Sequence, residues 1–155
     1  MYYRSENILY SLSILGKMEN LMSIIGDDNS VTLADLSNES QNMRELLDDK
    51  CELNYVNCDN LDIIVDSALN RINFIKCQNI KLTIDELIYG VEVSESSDVS
   101  IMIKKHNKQN KYLIDSSTDI SVCLPIRNQK NIDYLIKNSK SVRFVGDDNE
   151  PIISS

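Results

Sequence analysis

The chain has 155 residues, of which 42% are hydrophobic and 26% charged, and its 16 basic and 24 acidic side chains give a net charge of −8. This composition predicts one globular domain that buries a core without disulfides or a metal, and the negative charge argues against a nucleic-acid partner. The apolar runs end far short of the roughly 20 residues that cross a bilayer, so no membrane partner is expected.

The N-terminal segment, residues 1–30, is predicted to cap the domain or to form its first coil. Between residues 5 and 25 the apolar side chains recur every three or four positions, as on one face of a short helix. These side chains are Ile8, Leu12, Leu15, Met18 and Met22. The segment lacks the small-residue cleavage site of a secretory signal, so we expect a cytoplasmic protein.

A repeat of about twenty residues follows this segment and is the most informative pattern in the chain. Each unit consists of a short strand, a polar corner and a second strand in which apolar and polar residues alternate. The equivalent apolar residues Leu61, Ile80, Val99 and Ile120 are 19, 19 and 21 positions apart. A fixed period of this length is typical of a solenoid whose coils stack on one another.

The alternation favours β-strands, so the fold class is predicted to be all-β, a right-handed parallel β-helix of about six short coils. The coils are expected over residues 31–125. Stacking would place Cys58, Cys77 and Ser96 in one column of small side chains, and Asn and Ser would turn the corners in place of Gly and Pro. A sandwich of short strands is the alternative for such a pattern.

The candidate reactive residues do not form a recognisable catalytic or metal site. The four cysteines, Cys51, Cys58, Cys77 and Cys123, contain no Cys-x-x-Cys pair, and His106 is the only histidine. The four glycines are scattered, so no glycine-rich phosphate loop is present. We therefore expect no catalytic residue, no cofactor, no metal, and four reduced thiols.

Residues 126–155 are predicted to form a C-terminal hairpin, with strands at residues 140–145 and 152–153. A single hairpin is only marginally stable, and pairing with the same hairpin of a second chain in a symmetric dimer would protect its edge. For Phe144, contact with another partner is an equal alternative. The predicted dimer interface consists of Val142, Phe144, Val145, Ile152 and Ile153.

Residues 59–125 resemble, essentially without gaps, the C-terminal domain of cyclase-associated protein, a β-helix of the CARP type. The resemblance rests on residues 56–58, 61–66, 79–82 and 91–93, and most specifically on residues 117–125. Residues 20–58 and 132–153 follow the family more loosely.

Two segments depart from the family pattern. Residues 131–134 replace a longer proline-containing stretch before the terminal hairpin, and the helix-like residues 5–22 stand where the first strand is expected. The helical domain and proline-rich linker that usually precede this domain are not in the sequence. We interpret the chain as a short form of the family or an excised domain.

The resemblance implies a non-enzymatic, cytoskeleton-associated protein that binds ADP-loaded monomeric actin and promotes exchange of its nucleotide for ATP. It also implies a strand-exchanged homodimer. The candidate actin contacts are outward side chains of the β-helix and of the terminal ribbon: Asn57, Lys76, Gln78, Lys81, Ser116, Ser117, Asp119, Lys140 and Arg143.

Two other functions are compatible with the sequence. A GTPase-activating protein of the tubulin cofactor C type shares the architecture, and Arg71 would then be its candidate arginine finger. A dimeric scaffold without catalytic activity is the third possibility.

Overall fold

The computed structural model describes residues 23–26, 30–43, 51–107, 109–125, 132–146 and 151–154. No helix in these ranges is long and apolar enough to cross a membrane. Their regular structure consists of β-strands, as the alternation predicts. The strands are β1 (Ser23–Gly26), β2 (Ser30–Ala34), β3 (Ser37–Met43), β4 (Glu52–Val56), β5 (Asp59–Ile75), β6 (Gln78–Ser94), β7 (Ser97–Lys105), β8 (Lys111–Asp115), β9 (Thr118–Leu124), β10 (Asp133–Lys137), β11 (Lys140–Gly146) and β12 (Pro151–Ser154).

Two sets of parallel strands, here called the first and second sheets, meet at the polar corners. The first sheet contains β2, β4, the end of β5, the end of β6, β8 and β10. The second contains β3, the start of β5, the start of β6, β7, β9 and β11. One strand of each sheet and the corner between them form one rung. The six rungs are joined into a β-solenoid of about five turns.

The strand register confirms the predicted repeat. Leu61 pairs with Ile80, Ile80 with Val99, and Val99 with Ile120, so residues one period apart lie side by side. These four side chains are buried in the core, whereas the intervening Asp62 is exposed. Parallel pairing throughout the rungs rules out the sandwich alternative.

Each corner contains four residues, and the first and fourth of them have positive φ angles of 48° to 58°. Asn and Asp tolerate this left-handed conformation best among residues with a side chain, which explains how the corners form with few glycines. The first corner positions, from rung one to rung six, are Asp35, Asn57, Lys76, Glu95, Ser116 and Asn138, and the fourth are Asn38, Asn60, Asn79, Asp98, Asp119 and Ser141.

Hydrogen bonds between rungs stabilise these corners. The Asn60 side-chain amide donates to Asn38 Oδ1 at 2.8 Å, and the Asn79 amide donates to Asn60 Oδ1 at 3.0 Å. The ladder ends at rung three, because Asp98 in rung four has no amide with which to continue it. The fourth corner position therefore changes from a paired amide column in rungs one to three to Asp98 and Asp119 in rungs four and five, and to Ser141 in rung six.

The second corner position forms the predicted column of small buried side chains. Cys58, Cys77 and Ser96 occupy it in rungs two to four and are 2 to 5% exposed. Ser96 Oγ accepts a hydrogen bond from the Cys77 N–H at 3.0 Å and donates one to the Ser94 carbonyl at 2.7 Å. The column thus joins adjacent rungs through buried polar contacts.

The N-terminal helix prediction is wrong where the structure describes it, because Ser23–Gly26 forms strand β1. β1 pairs antiparallel with β2, from Ser23 opposite Ala34 to Gly26 opposite Val31. A strand satisfies the open edge of β2, which a helix could not do. The rest of the predicted helix, residues 5–22, lies outside the described residues.

The solenoid continues beyond the predicted limit at residue 125. β10 pairs in parallel with β8, and β11 with β9, so these strands form a sixth rung and not the start of an isolated hairpin. The hairpin itself is present, because β11 pairs antiparallel with β12, with Phe144 opposite Ile153. β11 therefore belongs both to the last rung and to the terminal hairpin.

Two predicted dimer residues consequently lie in the core of their own chain. Val142 and Phe144 are completely buried. Phe144 packs edge to face against Tyr112, with ring centroids 5.4 Å apart. A dimer could use these two side chains only by exchanging strand β11 between chains, because neither presents any surface to a second folded copy.

Candidate interaction surface

The predicted contact residues occupy neighbouring columns of the corner and of the second sheet. Asn57, Lys76 and Ser116 stand at the first corner position of rungs two, three and five, and all three are exposed. Because parallel strands are about 4.8 Å apart, Asn57 and Lys76 are neighbours, and Ser116 lies two rungs beyond Lys76. They form a polar ridge along the corner.

The remaining predicted residues extend this ridge onto the outer face of the second sheet. Gln78 and Lys140 hold the third corner position of rungs three and six, and Asp119 holds the fourth position of rung five. Lys81 and Arg143 are the next outward residues on the second sheet, in rungs three and six. We call the corner together with this face the corner surface.

The prediction that Ser117 contacts a partner is wrong, because Ser117 does not lie on the corner surface. It is 2% exposed at the second corner position, one rung after Ser96. Its hydroxyl accepts a hydrogen bond from the Ser96 N–H at 3.1 Å and donates one to the Asp115 carbonyl at 2.8 Å. Ser117 stabilises the corner from inside and has no surface to offer a partner.

A shallow groove crosses the corner surface over rungs four to six. Its polar walls come from the fourth corner position and from the next outward position of each strand. The side chains of Asp98, Asp119 and Arg143 are exposed there and form no hydrogen bond or ion pair with any described residue. The groove is lined by Asp98, Val99, Ser100, Asp119, Ile120, Ser121, Ser141 and Arg143.

A second shallow groove lies at the other end of the same face. It places Lys81 beside Asp62 and beside the asparagine ladder of the first three rungs. Lys81 is exposed and has no ion pair with the described residues. The corner surface therefore presents a cation near each end, and its two adjacent carboxylates lie in the groove that contains Arg143.

Several other lysines form ion pairs with carboxylates from other rungs, and one of them, Lys76, lies on the corner surface itself. Their ion pairs are Lys76 with Glu95 at 4.0 Å, Lys104 with Asp66 at 3.7 Å, Lys105 with Asp85 at 3.1 Å, and Lys111 with Asp133 at 3.8 Å. Lys105 donates a hydrogen bond to the Asp85 carboxylate, and this bond raises the pKa of Lys105. Lys81, Lys140 and Arg143 differ from these lysines in having no such carboxylate among the described residues.

Sequence reasoning missed four polar residues of the groove: Asp98, Ser100, Ser121 and Ser141. The repeat contained the signal for Asp98 and Ser141, because both are equivalent to Asp119 at the fourth corner position. Ser100 and Ser121 pair with each other and lie in the same outward column as Lys81 and Arg143. All four could have been found by extending the predicted columns through every rung.

The other residues considered for catalysis or metal binding do not form a second site on the corner surface. Among the described residues, no three His, Cys, Asp or Glu side chains are grouped to hold a metal. His106 is half-buried with Nδ1 3.2 Å from the Tyr112 hydroxyl, and burial lowers its pKa. Arg71, the candidate arginine finger, is half-buried in the first sheet between Glu52 and Gly90.

The sixth rung carries two exposed apolar side chains that were not among the predicted interface residues. Tyr134 and Leu135 of β10 are 43% and 48% exposed. Ile152 of β12, a predicted dimer residue, is half-buried against the core. Among the described strands β10 pairs only with β8, so its other edge is open. An open edge with apolar side chains is suited to pairing with another chain.

Comparisons with known proteins agree on one family. The model of the adenylate cyclase associated (CAP) C-terminal domain matches residues 38–144, more than two thirds of the chain. The crystal structure of cyclase-associated protein from Cryptosporidium parvum superposes with a TM-score of 0.68 at 14% identity, covering 86% of this chain and 80% of the other. No curated protein sequence matches the chain. The chain therefore belongs to the family of cyclase-associated protein C-terminal domains.

Proposed function

We propose that the chain binds monomeric actin in its ADP-loaded form and promotes exchange of the nucleotide for ATP, thereby regulating the turnover of actin filaments. Family membership supports an actin-binding role. The observation that carries the proposal for this chain is the corner surface, where Lys81, Lys140 and Arg143 remain without ion pairs among the described residues. Unpaired charges at fixed spacing are suited to pairing with complementary charges on a protein partner.

The proposed exchange needs no covalent chemistry. A partner shifts a conformational equilibrium only by its difference in affinity for the two states. A solenoid whose rungs are joined by continuous parallel pairing has little freedom to adapt to both states of actin. Binding would favour the actin conformation that matches the corner surface, and nucleotide release is faster when that conformation has the more open cleft.

The proposal includes a homodimer formed through the sixth rung. The open edge of β10 and the exposed Tyr134 and Leu135 would pair with a second copy. Val145 and Ile152, both half-buried, lie on the adjoining strands β11 and β12. The predicted contact of Ile153 stays part of this proposal. A dimer would carry two corner surfaces and could therefore hold two actin monomers.

Replacing Lys140 and Arg143 together by alanine is expected to weaken binding of ADP-actin monomers about tenfold or more, because two exposed interface cations are lost. The measurement is a fluorescence titration of labelled monomeric actin at fixed ionic strength.

The matched control replaces Lys104 and Lys105 by alanine. This variant loses the same two charges, but from lysines that are paired with Asp66 and Asp85 at the far end of their strand. Its affinity should stay within about twofold of the unmodified chain. Equal affinities of the two variants would contradict the assignment of Lys140 and Arg143 to the actin contact.

A further inference from the structure

Two buried cysteines face each other across adjacent rungs. Cys58 and Cys77 hold the same corner position in rungs two and three, and the Gln78 N–H donates to the Cys58 carbonyl at 2.9 Å. Equivalent residues of adjacent rungs are separated by about 4.8 Å. The Cα atoms joined by disulfides are usually 4.4 to 6.8 Å apart, so this spacing already suits a bond between the two sulfurs.

The other two cysteines stand at different positions of the solenoid. Cys123 points outward on β9 and pairs with Met102 of β7 and Val145 of β11. The Cys51 carbonyl accepts a hydrogen bond from the Asn70 N–H of the next rung. Within the described part of the chain, Cys58 and Cys77 are therefore the one pair of thiols placed at equivalent positions of adjacent rungs.

The two thiols have similar surroundings at the corner. Cys58 Sγ donates a hydrogen bond to the Val56 carbonyl at 3.4 Å, and Cys77 Sγ donates one to the Ile75 carbonyl at 3.4 Å. The thiolate is the reactive form of cysteine, so either thiol can act as the nucleophile, with the other as the resolving thiol. The pair is well suited to stepwise oxidation, because the resolving thiol is next to the reactive one.

The depth of the pair limits the oxidant to a small molecule. Both cysteines are 2% exposed, but each stands between exposed neighbours at a corner, Asn57 and Asp59 for Cys58 and Lys76 and Gln78 for Cys77. Only one layer of corner side chains separates the sulfurs from solvent. A small hydroperoxide can reach them through a local opening of the corner, whereas a protein oxidant cannot.

We propose that Cys58 and Cys77 form a reversible disulfide between rungs two and three when the chain meets a hydroperoxide. One of the two cysteines attacks the peroxide as its thiolate, the O–O bond breaks, and the alcohol or water leaves after taking up a proton. The sulfur of the other cysteine then attacks the sulfenic acid, the S–O bond breaks, and water leaves. Two thiols are oxidised to one disulfide and one hydroperoxide is reduced, so the electrons balance.

The disulfide would be a covalent cross-link between rungs two and three of the solenoid. It closes the segment from Cys58 to Cys77, which forms one full turn and contains all of β5. Cross-links of this loop length usually stabilise a fold mainly by restricting the unfolded chain. The cross-link lies in rungs two and three, outside the groove of rungs four to six.

The test treats the fully reduced chain with hydrogen peroxide, alkylates the remaining thiols in denaturant and maps the peptides by mass spectrometry. Trypsin leaves Cys51 and Cys58 in one peptide, because no Lys or Arg separates them, so a second cleavage after Glu52 is needed. We expect a Cys58–Cys77 linkage that dithiothreitol reverses and a rise in Tm of roughly 5 to 10 °C in the oxidised chain.

Variants separate the pair from the other thiols. Cys58→Ser should fold, since serine fills this position in rungs four and five, and should show neither the linkage nor the rise in Tm. Cys123→Ser should retain both. A linkage through Cys51 or Cys123, a product linked only between chains, or the absence of any Cys58–Cys77 linkage in the unmodified chain would each overturn the proposal.

Discussion

Replacing Gly90 by alanine is expected to lower the free energy of unfolding by about 3 kcal/mol or more. Gly90 lies in β6 with φ +130°, a conformation that residues with a side chain rarely adopt. An added Cβ would overlap the carbonyl oxygen of Lys111 and lie 2.7 Å from its nitrogen. Because Gly90 pairs with Lys111 in the first sheet, relief of this overlap requires the separation of rungs four and five.

Urea unfolding followed by circular dichroism measures this effect. Ser100→Ala is a suitable control, because Ser100 is exposed on β7 and its hydroxyl has no hydrogen-bond partner among the described residues. The control should change the free energy of unfolding by less than about 0.5 kcal/mol. If the Gly90 variant were as stable as the control, the close approach of β6 and β8 at this position would be wrong.

Replacing Phe144 by alanine is expected to destabilise the fold by about 3 to 5 kcal/mol. Phe144 is completely buried, and its ring centroid lies 5.4 Å from that of Tyr112 and 5.7 Å from that of Tyr134. Loss of the ring therefore leaves a cavity between the fifth and sixth rungs. Phe144→Leu fills most of this space and should cost less than about 1.5 kcal/mol.

The same variant decides between the two roles of Phe144. The molecular mass in solution, measured by sedimentation equilibrium, is expected near twice the 17.7 kDa of one chain for the unmodified protein. If Phe144 holds the last rung together, Phe144→Ala loses thermal stability at every protein concentration. A Phe144→Ala chain that becomes a monomer of undiminished unfolding free energy would instead assign the side chain to the dimer interface.

The repeat allowed most of the core to be predicted from the sequence. Leu61, Ile80, Val99 and Ile120 pair as expected, because a fixed period combined with strict alternation permits one parallel register. The sixth rung follows the same rule, since Val142 is 22 positions after Ile120 and pairs with it. The sixth rung was not predicted because residues 140–153 also resemble a hairpin. In the structure β11 belongs both to the sixth rung and to the hairpin with β12.

The helix prediction failed at Ser23–Gly26 for a different reason. Apolar spacing describes which side chains share a face, and it contains no information about unsatisfied backbone groups nearby. The open edge of β2 provides such groups, and β1 pairs with them. Tertiary pairing therefore determined the local structure of these four residues.

The repeat predicts which residues of the candidate site share a column of the solenoid. It does not predict which of their charges are paired with another side chain. The repeat predicted that Lys81 and Asp119 share one outward face, and their register agrees. Arg143 was expected on a terminal ribbon, but it lies on the same face in rung six. Register alone also indicates that Ser117 is buried, because it is equivalent to Ser96. The sequence could not show which charges are already neutralised, since ion pairs such as Lys105 with Asp85 depend on side-chain positions in neighbouring rungs.

The release of fluorescent ADP from monomeric actin, in the presence of excess unlabelled ATP, tests the proposed function most directly. The rate is predicted to rise with the concentration of this chain and to reach a plateau, and the Lys140 and Arg143 double variant should need about ten times more protein for the same rate. A release rate that stays unchanged when the chain is in large excess over actin would contradict the proposed function.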